Sequence, residues 1–379
     1  MKNKKLIFVF FGFFIFLCSI LAGAMIVIDP LSIFHKPIIC KEKIESDTRK
    51  GDYAIINAYE FDGMIFGTSM LENTSAKEAS QILGGNFMNL SIAGSSFYER
   101  EMILNYIFNV KKKNIKQIIY SLDSDKYLRL LKETATTNPR QMQYLYDENK
   151  FNDYLVYFEK YLFMAALRNV ASCQKSDIYR PTAWYKEKSF EIRFGGFENW
   201  VKNKDDGQIK SSFQAIKTAI SQIKNGKIQS LANLNEQIVN SKKYIDEYLL
   251  KFVANEPDTE FLIVVPPYSR IHNYIEIRTK PNDFLTTKEV LRYLVQKSSE
   301  FKNLKIYAWG DTGYPDDIAN YKDLTHYSHK FNSLMLSYIR DDIGLLTPEN
   351  FEKYYAEFEQ KSLEFDIMPY YEKIKDFIK

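Results

Sequence analysis

The chain has 379 residues, of which 26% are charged, and its formal net charge is +3 at neutral pH. No stripe of Arg and Lys is interleaved with aromatic residues, so the composition argues against a nucleic-acid partner. No cluster of Cys and His has metal-ligand spacing, and neither a metal nor another cofactor is expected. Cys40 and Cys173 lie outside the apolar N-terminus, and either one disulfide or two free thiols is consistent with their positions.

The N-terminal segment, residues 1–28, predicts a transmembrane signal anchor. Three lysines within the first five residues precede an apolar run from Leu6 to Ile28 that contains no charged residue. About 20 apolar residues cross the hydrocarbon core, and basic residues hold the preceding end in the cytoplasm. The bulk of the chain is therefore expected on the periplasmic or extracellular side, at the inner membrane if the source is Gram-negative. Ala22-Gly23-Ala24 leaves a cleaved signal peptide as the alternative, although the apolar run continues past that site.

Short apolar segments alternate with helical patterns and predict one α/β domain over residues 61–347, after a linker and entry segment at 29–60. Strands of four to six residues separated by helices are typical of a mainly parallel sheet. Ligands bind at the carboxyl ends of the strands in such sheets. The predicted strands are residues 62–66, 87–90, 115–120, 261–265 and 304–309. Helices are predicted from the residues after Gly67 to Gln81 and from Glu99 to Phe108.

A long stretch between the third and fourth strands, about residues 127–255, is predicted to be a mostly helical insertion. Connections of this length inside a compact domain are usually functional insertions or lids. The aromatic segment 193–200 either lines a sugar-binding surface or packs the insertion onto the core. Residues 348–379 predict a charged, aromatic helical tail for packing or partner contact.

Ser69 is a candidate nucleophile. It follows the first predicted strand through Gly67-Thr68 and precedes a predicted helix, which places its hydroxyl at the carboxyl edge of the sheet. Its amide would lie at a helix N-terminus, where it can stabilise an oxyanion. An ordinary turn with an N-cap is the alternative interpretation of this segment.

Asp323 and His326 supply the remaining parts of a triad. Both precede a predicted helix that Ser328 can cap and whose apolar residues recur at helical spacing. In a loop, Asp323 can accept a hydrogen bond from one imidazole nitrogen while the other nitrogen faces Ser69. A solvated Asp beside a surface His is the alternative.

The other three histidines are expected to be incidental. His329 falls inside the predicted helix, His35 follows the membrane span, and His272 is placed in a loop after Pro266-Pro267.

Three segments resemble sequence blocks of the SGNH, or GDSL-like, hydrolase superfamily: Gly67-Thr68-Ser69-Met70, Asn89-Leu90-Ser91-Ile92-Ala93-Gly94 and Asp323-Leu324-Thr325-His326-Tyr327-Ser328. The resemblance spans 62–343 without the insertion. It is closest to the membrane-anchored branch that includes the D-alanyl transfer proteins of teichoic acid synthesis and the alginate and peptidoglycan O-acetylation proteins. It implies a three-layer α/β/α sandwich, Ser69 as the nucleophile and Gly94 as the source of an oxyanion-hole amide.

The chain departs from this family's pattern at two places. Gly-Thr-Ser replaces the usual Gly-Asp-Ser. The third block normally carries an Asn that donates to the oxyanion, whereas the third strand here ends in Ser121-Leu122-Asp123-Ser124-Asp125. Because an ionised Asp cannot donate, Asn73, one helical turn beyond Ser69, is the candidate for the missing donor.

The resemblance and the triad together predict an outward-facing serine acyl-ester enzyme, either an O-acyltransferase or an esterase, that acts on a cell-envelope glycan. Ser69 would carry the acyl group, His326 would act as base and then acid, and Asp323 would orient it. The resemblance also implies a multi-span membrane O-acyltransferase as partner. The alternative is a catalytically inactive SGNH-like protein that binds glycan or serves in assembly.

Overall fold

The computed structural model describes the chain at residues 2–29, 35–36, 38, 48–123, 142–160, 164 and 193–377. Cys40, Cys173, the pair Ser124-Asp125 and much of the predicted insertion lie outside the described residues.

A six-stranded sheet forms the centre of the domain. Its strands are β1 (Gly63–Phe66), β2 (Phe87–Asn89), β3 (Gln117–Ser121), β4 (Glu260–Val265), β5 (Leu304–Ala308) and β6 (Leu345–Leu346). They lie in the order β2-β1-β3-β4-β5-β6. The first five pair in parallel and β6 is antiparallel to β5. All five predicted strands are present, which confirms the α/β class with a mainly parallel sheet. The sequence did not predict β6, because two residues are too few to establish a period.

Alternate side chains of the strands enter separate cores on the two faces of the sheet. Ile65, Ile119 and Leu262 project into one core, called here the Ile65 core. Met64 and Ile118 project into the other, called here the Met64 core. Helices cover both faces, so the strands are apolar on both sides and read as continuous apolar runs.

Helices make up most of the remaining described chain. They are α1 (Lys2–Ile28), α2 (Thr48–Ala58), α3 (Ala76–Leu83), α4 (Phe97–Asn105), α5 (Lys150–Asp153), α6 (Phe197–Lys202), α7 (Gly207–Lys224), α8 (Leu234–Ile245), α9 (Lys251–Asn255), α10 (Arg270–Thr279), α11 (Pro281–Glu300), α12 (His329–Arg340), α13 (Phe351–Glu364) and α14 (Met368–Ile374).

Helix α2 lies within the predicted linker at 29–60, but it packs Tyr53 and Ile56 into the Met64 core.

The described part of the predicted insertion covers both faces of the sheet. Helix α7 contributes Phe213 and Ile216 to the Ile65 core, whereas Ile245 at the end of α8 enters the Met64 core. Phe197 and Trp200 are buried against Phe213 and its neighbours. These two rings therefore pack segment 193–200 onto the core. This is the second of the two predicted alternatives, in which the segment packs the insertion onto the core.

The C-terminal tail is helical and packs against the domain. Tyr355 of α13 is buried in the Met64 core, and Ile374 of α14 is buried in the Ile65 core.

Helix α1 is long and apolar enough to cross a membrane. Its segment Lys4–Ile28 has a mean hydropathy of 2.7, and it is the only such helix in the described part of the chain. The end of α1 is tied to the domain at Asp29, which is fully buried. The Tyr157 hydroxyl and the backbone N–H of His35 both donate to the Asp29 carboxylate.

Arg270, the first residue of α10, links the carboxyl edge of the sheet to the tail. Its buried guanidinium donates to the carbonyls of Gly310 and Thr312 at 2.8 and 2.9 Å and to the Ser362 hydroxyl at 3.2 Å. It also pairs with Asp316 at 2.5 Å. One side chain thus fixes the loop after β5, which leads to Asp323 and His326.

Replacement of Arg270 should destabilise the fold. Arg270→Met leaves two buried carbonyls without their donors, and we expect a loss of about 2–4 kcal/mol in the free energy of unfolding. Thermal and denaturant unfolding of the full-length protein in detergent measures this loss. The matched control is Arg278→Met on the exposed side of the same helix, for which a change below about 0.5 kcal/mol is expected. Equal stability of the two variants would contradict the proposed linking role.

Candidate active site

Ser69 lies just beyond β1, where the ends of β1 and β3 approach closely. A Cβ added to Gly67 would be 2.9 Å from the Cβ of Ser121, so only glycine fits between these two strand ends. The N–H of Thr68 then donates to the Ser121 hydroxyl at 3.3 Å. This approach fixes the backbone immediately before Ser69, which is half-buried at the carboxyl edge of the sheet.

The predicted helix after Ser69 begins later than expected. Residues 69–74 form turns, and α3 starts only at Ala76 with Ser75 as its N-cap. The Asn89 side chain donates to the carbonyls of Leu71 and Thr74 at 2.9 and 2.8 Å, which takes acceptors that a helix would use. The predicted position of the Ser69 amide at a helix N-terminus is therefore wrong.

Asp323 and His326 lie in the predicted loop, and the structure brings His326 to Ser69. His326 Nε2 is 2.8 Å from Ser69 Oγ, and His326 Nδ1 is 2.8 Å from Asp323 Oδ2. Helix α12 begins two residues after the loop's Tyr327, with Ser328 as its N-cap. Hydroxyl, imidazole and carboxylate form one hydrogen-bonded series.

The Asp323 carboxylate is buried and surrounded by donors. The backbone N–H groups of Thr325 and His326 both donate to Oδ1 at 2.9 Å, and Lys322 Nζ donates to Oδ2 at 3.1 Å. Burial alone would raise the pKa of Asp323, but His326, Lys322 and these backbone donors outweigh it and hold the pKa well below its usual range. Asp323 is therefore ionised at neutral pH and able to fix the imidazole orientation.

Lys322 was not predicted as part of the site. It is buried, and its ammonium group donates to Gln208 Oε1 of α7 at 2.7 Å as well as to Asp323. Burial lowers the pKa of Lys322 and the adjacent Asp323 opposes that shift. The adjacency of Lys322 to Asp323 is visible in the sequence, whereas Gln208 lies 114 residues from Lys322 and could not be linked to it.

The loop that holds Asp323 and His326 is tied to the end of β4. The Ser269 hydroxyl donates to the Leu324 carbonyl at 2.6 Å, and the Tyr321 hydroxyl donates to the Pro267 carbonyl at 2.6 Å. Trp200 Nε1 donates to the Tyr321 carbonyl at 3.2 Å. These contacts hold the loop in place independently of Ser69.

Gly94 lies in a turn beside the end of β1. The backbone N–H of Ile92 and the hydroxyl of Ser95 both donate to the Gly67 carbonyl, at 2.8 and 3.2 Å. Gly94 has φ +66°, and a Cβ added there would meet no atom within 4 Å. The left-handed backbone at this position therefore favours glycine, and the space above Gly94 is open to a ligand.

Asn73 and Asp123 are both buried and do not face solvent. Asn73 is buried on the turn after Ser69. Asp123 is buried too, and it accepts hydrogen bonds from Thr68 Oγ1 at 2.8 Å and from Ser121 Oγ at 2.7 Å. Asp123 therefore holds the residue that precedes Ser69.

Arg100 of α4 provides the counter-charge for Asp123. Its Nη2 is 3.5 Å from Asp123 Oδ2, and its Nη1 donates to the Ser121 carbonyl at 2.7 Å. The guanidinium lies 4.2 Å from the ring centroid of Phe97 and 4.5 Å from that of Tyr120. Burial raises the pKa of Asp123 and the Arg100 charge lowers it. No feature of the sequence indicated that Arg100 reaches this site.

The other histidines lie elsewhere. His272 is on helix α10, so its predicted loop position is wrong: Ser269, two residues after Pro267, caps that helix. His329 is the first residue of α12, as its predicted helical position requires. His35 contacts the carbonyl of Ile26 at the end of α1.

A hydroxyl, an imidazole and a buried carboxylate in series at the edge of a parallel sheet have the geometry that serine-dependent acyl chemistry requires. In the described part of the chain, no group of three or more His, Cys, Asp and Glu side chains could hold a metal ion. Protein-family models, curated proteins and solved structures were compared with the chain, and none matches it.

Glu72 is a buried carboxyl between the Ser69 turn and the Gly94 turn, and it was not predicted. The backbone N–H of Ala93 donates to it, and the charges of Lys322 and Arg49 act on it. Burial raises the pKa of Glu72 to about 7, although these three partners lower it. Glu72 therefore changes charge near neutral pH within the site.

Glu72 should make stability decrease as the pH rises. Its pKa is higher in the folded chain than in the unfolded chain, so its stabilising contribution is present at pH 4 and is lost as the pH rises to about 7. We expect Glu72→Gln to remove this dependence and to gain up to about 3 kcal/mol relative to the wild type between pH 5 and pH 8. Unfolding free energies at both pH values measure the gain. Glu236→Gln, an exposed control on α8, should show no such change, and a flat difference for Glu72→Gln would contradict the assignment.

Proposed function

We propose that this protein is a membrane-anchored, outward-facing serine enzyme that transfers or hydrolyses an O-acyl group, acetyl or similar, on a cell-envelope glycan. The observation that carries the proposal is the hydrogen-bonded series from Ser69 through His326 to Asp323. The resemblance of three segments of the chain to sequence blocks of the SGNH hydrolases supports the same chemistry. The membrane-spanning length of α1 supports the anchor.

The first half-reaction loads the acyl group onto Ser69. Ser69 Oγ attacks the carbonyl carbon of an acyl ester while its proton passes to His326 Nε2. Asp323 stabilises the imidazolium that forms, because its buried carboxylate faces Nδ1. The tetrahedral intermediate collapses, the donor's oxygen leaves with the proton from His326, and Ser69 retains the acyl group as an ester.

The second half-reaction releases the acyl group. An acceptor hydroxyl attacks the Ser69 ester and gives its proton to His326, which returns a proton to Ser69 Oγ as that oxygen leaves. A glycan hydroxyl as acceptor gives transfer, and water gives hydrolysis. We favour transfer, because a membrane anchor holds the site where a multi-span O-acyltransferase partner could deliver acyl groups across the bilayer.

The oxyanion is proposed to bind the amides of Ser69 and Gly94. The Gly94 turn lies beside Gly67, and the space above Gly94 is open. Asp123 is unsuited to a donor role, because its two oxygens accept from Thr68 and Ser121. Asn73 is the side chain proposed to complete the hole. Without it the hole would have only the two amides, and the loss of one donor costs about 10² to 10³ in kcat.

Ser69→Ala should abolish both probe labelling and esterase activity. A serine-directed fluorophosphonate and an aryl acetate are applied to the full-length protein in detergent, and the wild type should be labelled and hydrolyse the ester. The matched control is Ser333→Ala on α12, whose hydroxyl contacts Glu78 and not the triad. If wild type and Ser69→Ala behave identically, the enzyme proposal fails and the non-catalytic glycan-binding or assembly alternative replaces it.

Asp323→Asn should lower kcat by about 10³ to 10⁴, because an amide cannot hold the imidazole in the required tautomer. Steady-state hydrolysis of the aryl acetate measures the loss. Asp317→Asn, an exposed residue of the neighbouring loop, serves as control and should retain wild-type kcat. Equal activity of the two variants would argue that His326 does not act as the base.

A further inference from the structure

A cavity of about 90 Å³ lies at the carboxyl edge of the sheet and is not used by the triad itself. Its wall is mostly apolar and comes from the ends of β3 and β4 and from α10, α11 and α13. The apolar lining includes Leu122, Val265, Pro266, Phe284, Leu291 and Phe358.

Two residues of the cavity wall also contact the segments that hold the triad. Asp123 lines it and also accepts the hydrogen bond from Thr68, the residue before Ser69. On the other side, Pro267 lines it and also accepts from Tyr321 of the loop that leads to Asp323. The cavity therefore begins where the nucleophile turn and the base loop meet the ends of the strands.

The volume sets the size of an occupant. An apolar cavity of about 150 Å³ holds benzene, with six carbons, so one of about 90 Å³ holds roughly four carbons. Apolar walls favour a hydrocarbon group over a sugar ring, which carries a hydroxyl on most carbons and would lose hydrogen bonds there.

His272 is a polar group in this apolar wall. Within the described part of the chain, its ring contacts Tyr268 edge-on at 4.9 Å between centroids, and neither of its ring nitrogens has a hydrogen-bond partner. Burial lowers the pKa of His272, although Glu276 opposes this, so the ring is neutral at pH 7 with one donor and one acceptor nitrogen. His272 is half-buried, so its ring nitrogens can exchange a hydrogen bond with water for one with a ligand hydroxyl.

We propose that this cavity is the acyl pocket of the site, that it takes an acyl group of up to about four carbons, and that His272 recognises a hydroxyl on that group. The proposal rests on the proposed function, because the acyl carbon must sit on Ser69 Oγ. The carbonyl remains at the Gly94 turn while the hydrocarbon part enters between Asp123 and Pro267. His272 is a specificity-determining residue and takes no part in the bond changes.

The test is chain-length selectivity of the full-length protein in detergent with p-nitrophenyl acetate, butyrate, octanoate and 3-hydroxybutyrate. We expect kcat/KM to be highest for butyrate and lower for octanoate, because carbons beyond about the fourth find no further apolar space in the cavity. Thr287→Leu projects a larger side chain into the cavity and should lower the butyrate-to-acetate ratio about tenfold or more. Thr218→Leu on the exposed face of α7 is the matched control and should leave the ratio unchanged.

His272→Leu tests recognition of the hydroxyl. The wild type should prefer 3-hydroxybutyrate to butyrate, and the variant should lose about tenfold or more of that preference while its melting temperature and acetate hydrolysis stay close to wild type. Unchanged chain-length ratios in Thr287→Leu, or an unchanged hydroxyl preference in His272→Leu, would overturn the pocket assignment. Ester hydrolysis that persists in Ser69→Ala would instead overturn the proposed function, so the two failures are distinguishable.

Discussion

The close approach of the ends of β1 and β3 is the constraint on which the site depends. Gly67 leaves no room for a side chain against Ser121, and that contact sets the direction of the chain into Ser69. The same approach brings Thr68 to Asp123, whose charge is balanced by Arg100 beneath the sheet edge. A larger residue at Gly67 would separate the strand ends and displace the Ser69 turn together with the contacts that support it.

His326, the proposed base, comes from a distant part of the chain and is positioned by contacts that do not involve Ser69. The loop with Asp323 and His326 is tied to Pro267 and Ser269 after β4, so its place is fixed relative to the sheet and does not depend on Ser69. Two independently supported loops thus meet with a Ser69 to His326 separation of 2.8 Å. Such preorganisation is what a triad requires, because small displacements of reacting groups cost large factors in rate.

The sequence predicted those parts whose signals are local. The strand predicted at 62–66, observed as Gly63–Phe66, and the capped helix after Ser328 follow from apolar runs and capping residues. The turn after Ser69 was missed because the Asn89 side chain, from another strand, overrides a helix-compatible pattern. Lys322, Arg100 and Glu72 join the site through burial and tertiary contacts, which single-sequence periodicity does not encode.

Buried cations near the site offset the charges of the neighbouring carboxylates, which would otherwise oppose the formation of an oxyanion. Asp323 is compensated by Lys322 and the imidazole, and Asp123 is compensated by Arg100. Glu72 accepts a hydrogen bond from the Ala93 N–H, next to Gly94, and its pKa of about 7 leaves it partly protonated at neutral pH. Because a negative charge beside the Gly94 amide would oppose a developing oxyanion, the proposed chemistry is favoured by the protonated form of Glu72. Burial of this carboxyl therefore lowers stability at high pH and, in the proposed mechanism, reduces the electrostatic cost of the transition state.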